Sequence, residues 1–261
     1  MLGISTTNAR VGGFRGGKKY SAQYQAVLTE ATAQGYTLPS VAQQAKQNTL
    51  MAALVNSGVL AKVDVLFVFA NDGSKEFACI NWKNPSGTKA SLVSSPTFTT
   101  NLGFNSNGSS SYIDTNFNAA TQGVNFTNNN AGEFAYQVGA LFGPLFGTST
   151  GPGDGILMSD TAGQRLNMSG TNLTATADMS GNGFKLINRT SATNVELFNE
   201  TTQLSRTTTT ANRISASRRI LNAQNNYLPS TGRVSIYGNG ASLVSEALTL
   251  RTAIITYLTS L

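Results

Sequence analysis

Six side chains in this 261-residue chain have the chemistry to hold a sugar. A saccharide presents apolar C–H faces together with hydroxyls, so its site needs aromatic platforms beside amide or carboxylate groups. Trp82, the only tryptophan, has Asn81 next to it and Asn84 close by, and Tyr112, Asp114 and Tyr227 supply further platforms and polar groups. Trp82 also reads as a core or rim residue at the end of its strand, which needs fewer assumptions. Cleavage of a glycosidic bond asks for more, a pair of carboxylates set across a groove. Glu133, Asp154, Asp160, Asp178, Glu196 and Glu200 are scattered, most of them beside turn residues, and Asp154 lies in Gly153-Asp154-Gly155. On that ground no catalytic residue is assigned and no enzymatic activity is expected.

The residue inventory narrows the chemistry further. There is no histidine and a single cysteine, Cys79. His general bases, His-based triads, Cys/His zinc sites and an internal disulfide are thereby excluded. Cys79, in Phe77-Ala78-Cys79-Ile80, reads as a small buried hydrophobe. Calcium would need several convergent oxygens, and no such set stands out, so neither a metal nor a cofactor is expected.

Charged residues make up only 11% of the chain, against roughly 25% in ordinary soluble domains, while the hydrophobic share is an ordinary 40%. Polarity comes instead from Asn, Thr, Ser, Gln and Gly, which suits a protein packed into an assembly or exposed outside a cell. The net charge of +6 invites a polyanion, but most basic residues are spread singly, and no nucleic-acid partner is expected. Two clusters remain. Arg10, Arg15, Lys18 and Lys19 lie with Phe14 in a Gly-rich arm over residues 1–19, a composition that orders only against a partner. Arg213, Arg218 and Arg219 are expected on a strand and the turn after it, facing solvent. The first residues lack the apolar core of a signal peptide, and no run reaches the roughly 18 apolar residues of a membrane span.

The elements that must position these residues follow from periodicity. Tyr20, Tyr24, Val27, Leu28 and Ala31 form one stripe of a helix that Gly35 stops, and a second helix begins after Pro39, with Val41, Ala45, Ala52, Leu54 and Val55 as its apolar side. This helical hairpin covers residues 20–60, and the sandwich the rest. Val63 to Phe69, apolar on both faces, reads as a strand in the middle of a sheet, and Phe77 to Trp82 as a continuation of β structure. Leu102 to Asn118 reads as a hairpin, with Asn105 to Ser111 as its turn. Short β-like segments then recur at roughly 8–12-residue spacing, among them Gln164 to Met168, Phe184 to Asn188, Asn194 to Asn199 and Arg213 to Ala216. Leu243, Ala247, Leu250, Ile254, Tyr257 and Leu261 mark a closing helix, N-capped at Ser242 and packed on its own sandwich. The fold class expected is mainly β, a jelly-roll sandwich of two antiparallel sheets preceded by two short helices.

The segments KVDVLFVFAND, NWKNPSG, GFNSNGSSSYIDTNFN and GNGASLVSEALTLRTAIITYLTSL resemble tailed-bacteriophage virion proteins of the concanavalin A-like, laminin-G-like sandwich superfamily. The resemblance runs from about Tyr20 onward. It implies a place on the particle surface as a head fibre, capsid decoration or tail-associated subunit, attached through the N-terminal region. Its partners would be other copies of itself, a trimer being favoured, and further capsid or tail proteins. Adhesion to host-surface glycan is the second role expected.

Overall fold

The computed structural model describes residues 20–139, 144–148, 157–158, 162–164, 173–174, 182–200, 202–222 and 231–261. In chain order the elements are α1 (Ala22–Ala33), α2 (Val41–Asn56), α3 (Val59–Lys62), β1 (Val63–Val68), α4 (Lys75–Ala78), β2 (Ser91–Val93), β3 (Thr97–Thr99), β4 (Gly103–Asn105), β5 (Tyr112–Asn118), α5 (Ala119–Gln122), β6 (Ala131–Val138), β7 (Pro144–Thr148), β8 (Leu157–Met158), β9 (Ala162–Gln164), β10 (Leu173–Thr174), β11 (Gly183–Ser191), β12 (Asn194–Asn199), β13 (Thr202–Thr207), β14 (Ser217–Ile220), β15 (Arg233–Gly240) and α6 (Ala247–Thr259). The arm over 1–19, with Arg10, Phe14, Arg15, Lys18 and Lys19, lies outside the described residues, as do Tyr227 and most of the segment 164–168.

Two antiparallel sheets make the sandwich expected. The larger has eight strands in the order β13-β12-β11-β6-β15-β4-β3, with β1 also against β15; the smaller has five, β2-β5-β14-β7-β8. β4 and β1 share one edge of β15, pairing with its beginning and its end respectively. At that junction Gly103, at φ +94°, brings its backbone so close to β15 that a Cβ would meet the Val234 carbonyl oxygen at 2.1 Å.

Strand alternation sends side chains to two separate cores. Val65 and Phe67 join Ile113, Phe146, Ile220 and Tyr237 between the sheets. Leu66 and Val68 join Phe134, Leu186 and Ile236 on the opposite face, where α1, α2 and α6 cover the large sheet through Leu28, Leu54, Leu250, Ile254 and Tyr257. The helices before the sandwich therefore share its core. Ser21 and Ser40 cap α1 and α2 by accepting from the Tyr24 and Gln43 N–H groups.

Several sequence expectations are corrected. Leu102 to Asn118 is an arch rather than a hairpin, because β4 belongs to the large sheet and β5 to the small one. The Asn107 side-chain oxygen holds the arch by accepting from the N–H groups of Ser109, Ser110 and Ser111 at 2.9, 2.9 and 3.1 Å. Lys75–Ala78 is a helical turn capped by Ser74, not a strand. α2 buries Gln43 and Gln47, while Val41 is 66% exposed. Those amides face inward because hydroxyls meet them: Tyr24 donates to Gln47 Oε1 at 2.5 Å, and Gln43 Nε2 donates to the Tyr257 hydroxyl at 2.8 Å. α6 starts at Ala247 after Glu246, so Ser242 is not its cap. Residues 213–216 precede β14 instead of forming a strand.

Arg218 is the largest departure. Expected at the surface, it is fully buried between the sheets, its Nη1 3.6 Å from Glu133 Oε2 and its guanidinium 4.8 Å from the Phe126 ring centre. Glu133 Oε1 accepts from the Tyr237 hydroxyl at 2.5 Å, and that hydroxyl accepts from Asn239 at 2.9 Å. The cluster ties β14 of the small sheet to β6 and β15 of the large one. Removing one member breaks a buried charge pair, so Glu133→Gln is expected to lower unfolding free energy by ~3–5 kcal/mol, read from urea denaturation. Burial, then the neighbouring Glu133 carboxylate, holds the Tyr237 phenol well above its ordinary 10.0, and burial raises Tyr257 likewise. The folded chain keeps protons that the unfolded chain releases. Stability is thus full below the ordinary tyrosine value and falls as pH rises beyond it, by ~1.4 kcal/mol per pH unit for each phenol. Denaturation between about pH 10 and pH 12 should show this slope, reduced in Tyr237→Phe.

Candidate functional site

Ile113, Thr115 and Phe117 of β5 are buried, which places Tyr112, Asp114 and Asn116 on the outer face of the small sheet. Antiparallel register sets Asp114 opposite both Ser91 of β2 and Arg219 of β14. One cross-strand row therefore spans three strands, at the spacing where neighbouring side chains interact. The Arg219 guanidinium lies 4.5 Å from the Tyr112 ring centre, and its Nε is 3.9 Å from Asp114 Oδ2. Ser217 donates to the same oxygen at 2.9 Å. Asn116, in the left-handed region at φ 53°, donates its N–H to Asp114 Oδ1 at 2.8 Å and its amide to Ser91 Oγ at 2.6 Å. Asparagine tolerates that conformation better than a branched residue.

This face carries an aromatic ring, a carboxylate, a guanidinium, hydroxyls and an amide on paired strands. The Arg219 and Asp114 side chains are 20% and 16% exposed, so both are held in place and still reachable. Such a set can hydrogen-bond hydroxyls and pack against a C–H face.

Of the five residues singled out for a sugar site that the structure describes, only Tyr112 and Asp114 come together on this face. Trp82 is 1% exposed, its ring 5.5 Å from that of Tyr24 under α1. Asn81 is also buried, its side-chain oxygen accepting from the Leu66 N–H at 3.0 Å, while the Trp82 backbone N–H donates to the Leu66 carbonyl at 2.7 Å. These two residues satisfy both backbone groups of Leu66 on the edge of β1 that no strand covers. β1 is accordingly not in the middle of the sheet by pairing, although both its faces are buried. Asn84 is exposed in the following turn, where its carbonyl accepts from the Gly87 N–H at 3.0 Å. Arg219, Ser217, Asn116 and Ser91 were missed as site residues. The available signal was the Arg218-Arg219 pair on one strand, which alternation must send to opposite faces.

A second concavity, of about 580 Å³, runs between α2 and α6, lined by Leu50, Ala53, Leu248, Thr252 and Tyr257 among others. Its one charged group, Lys46, donates to the Ser260 carbonyl, so it gathers no set of free polar groups. Cys79 is buried, and burial pushes its thiol up to about 12, which leaves it inert.

No protein-family model and no curated protein matches the sequence. Several solved structures are similar, among them the following two. A mutant of Trypanosoma rangeli sialidase displaying trans-sialidase activity superposes with a TM-score of 0.52 at 12% identity, over 81% of this chain and 39% of that one. An HCR/D mutant with a tryptophan-to-alanine substitution gives 0.44 at 9% identity, over 77% of this chain and 53% of that one. This chain thus spans less than two thirds of either neighbour. The sialidase likeness is one of fold, and it corrects the expectation that the chain is not an enzyme: a chain with a sugar-transferring activity contains this fold. The scatter of acidic residues was also a poor argument, since residues far apart in sequence converge here, Glu133 and Tyr237 within 2.5 Å.

The two aromatic residues are expected to respond differently to truncation. Trp82→Ala should cost ~3–5 kcal/mol of stability, and Tyr112→Ala no more than ~1 kcal/mol, both read from denaturant midpoints at unchanged slope.

Proposed function

We propose that this chain is a surface subunit of a tailed-bacteriophage particle, attached through its N-terminal region, and that the outer face of the small sheet binds host-surface glycan. The observation that carries the glycan reading is the grouping of Tyr112, Asp114 and Arg219 on two paired strands, β5 and β14, reachable and fixed by their neighbours. Sugar recognition needs that combination of ring, acceptor and donor. The likeness in fold to a sialidase with trans-sialidase activity supports the same ligand class. The particle setting rests on the resemblance of the segments quoted above and on the charge-poor, amide-rich composition. Arg10, Phe14, Arg15, Lys18 and Lys19 are the attachment residues in this reading, with a trimer as the assembly.

Retention on host-cell polysaccharide tests the glycan face. Tyr112→Ala should weaken it by roughly ten-fold at nearly unchanged stability, and undiminished retention would rule this face out. Deleting residues 1–19 should abolish binding to particles that lack the protein while leaving the sandwich folded by circular dichroism. Full binding by the truncated chain would rule out the arm as the attachment.

A further inference from the structure

Resting on the glycan reading above, we infer that the face selects an acidic sugar, a pyranose bearing a carboxylate, and that Arg219 is the residue that reads the charge. Asp114 does not neutralise Arg219 by hydrogen bonding. Its Oδ1 already accepts from the Asn116 N–H at 2.8 Å and its Oδ2 from the Ser217 hydroxyl at 2.9 Å, and it comes no nearer to the guanidinium than 3.9 Å, at Nε. That Nε is buried without a hydrogen-bond partner, and the guanidinium makes no hydrogen bond to the described residues. A guanidinium offers five N–H donors in a planar fork. Here the fork is positioned by the Tyr112 ring at 4.5 Å and remains partly open to solvent.

A carboxylate is the group that matches such a fork, since two parallel charge-assisted bonds satisfy both geometry and charge. A neutral hydroxyl fills one donor and leaves the charge uncompensated. Asp114 fixes the orientation. It repels an anion from the Nε side, so a ligand carboxylate meets the Nη side, and the spare lone pairs of Asp114 accept from the hydroxyls of the same sugar. The Tyr112 hydroxyl, which makes no hydrogen bond to the described residues, adds a further polar contact.

The test is calorimetric titration of the full chain with galacturonate, glucuronate and mannuronate oligomers, each paired with its methyl ester, which keeps the sugar and removes the charge. The wild type is expected to bind at least one acid form roughly ten-fold more tightly than its ester. Arg219→Gln should bring the acid form to the level of the ester and leave the ester unchanged. Arg219→Lys keeps the charge without the fork and should retain only part of the preference; it also carries the comparison if Arg219→Gln does not fold. Lys46→Gln, on α2 away from this face, should change nothing. An equal loss in Lys46→Gln and Arg219→Gln would assign the preference to the net charge and overturn the inference. Equal wild-type affinity for acid and ester, lost in Tyr112→Ala, would overturn the acid preference and leave the glycan reading standing. Failure of the wild type to bind any oligomer in either form would overturn both.

Discussion

A sheet covered on both faces leaves no water for the polar groups within it, and the eight-stranded sheet is covered by the small sheet on one side and by three helices on the other. Each buried donor or acceptor must then find a protein partner or carry the cost of desolvation. Glu133 lies between Arg218 and the Tyr237 hydroxyl for this reason, and the Asn188 side-chain oxygen accepts from the Leu243 N–H just ahead of α6. Tyr257 works similarly at the far end of α6, donating to the Ala70 carbonyl at 2.5 Å while accepting from Gln43. Apolar contact is indifferent to small slides of a helix along a sheet. These bonds are directional, so they fix the position of α6.

The same constraint explains why the ligand face lies where it does. β1 has neighbours above and below but lacks a strand along one edge, where the Asn81 side chain and the Trp82 backbone N–H partner Leu66 and the strand's own Asp64 reaches out to the loop after α5. The Asp64 carboxylate accepts from the Asn125 and Phe126 N–H groups, both at 2.9 Å. The Asn81 amide, which looks like a ligand group in the sequence, is thereby committed to structure, and the Trp82 ring is committed by burial in the second core. The small sheet faces a core on one side only, and its outer side keeps polar side chains within reach of solvent.

How much of this was legible depended on the range of the interactions. The stripes of α1 and α6 were readable because a helical face repeats locally, and the strands β11 and β12 because β-like segments recur at short, regular spacing. The buried face of α2 was not, since hydropathy counts Gln43 as a surface residue and its partner Tyr257 lies 214 positions away. Local pattern likewise identified β4 and β5 as strands but carried no information on which sheet each joins. Reading Arg218 and Arg219 together as a solvent-facing cluster treated charge as decisive, when strand alternation decides which of the two turns inward. The site was half legible: Tyr112 and Asp114 have the right chemistry, and Arg219 joins them only through strand pairing.

The pairing of β1 with the last strand, β15, also bears on the order in which the chain acquires structure. Val63 to Val68 meet Gly240 to Ile236, and α6, which follows, covers the second core. Translation delivers β1 well before β15, so this apolar strand has to wait for all of the sequence between them. During that interval its backbone edge and both apolar faces are open to other molecules, the circumstance in which chains of this size associate wrongly. A strand that is among the best protected in the finished protein is among the most vulnerable while the protein is being made.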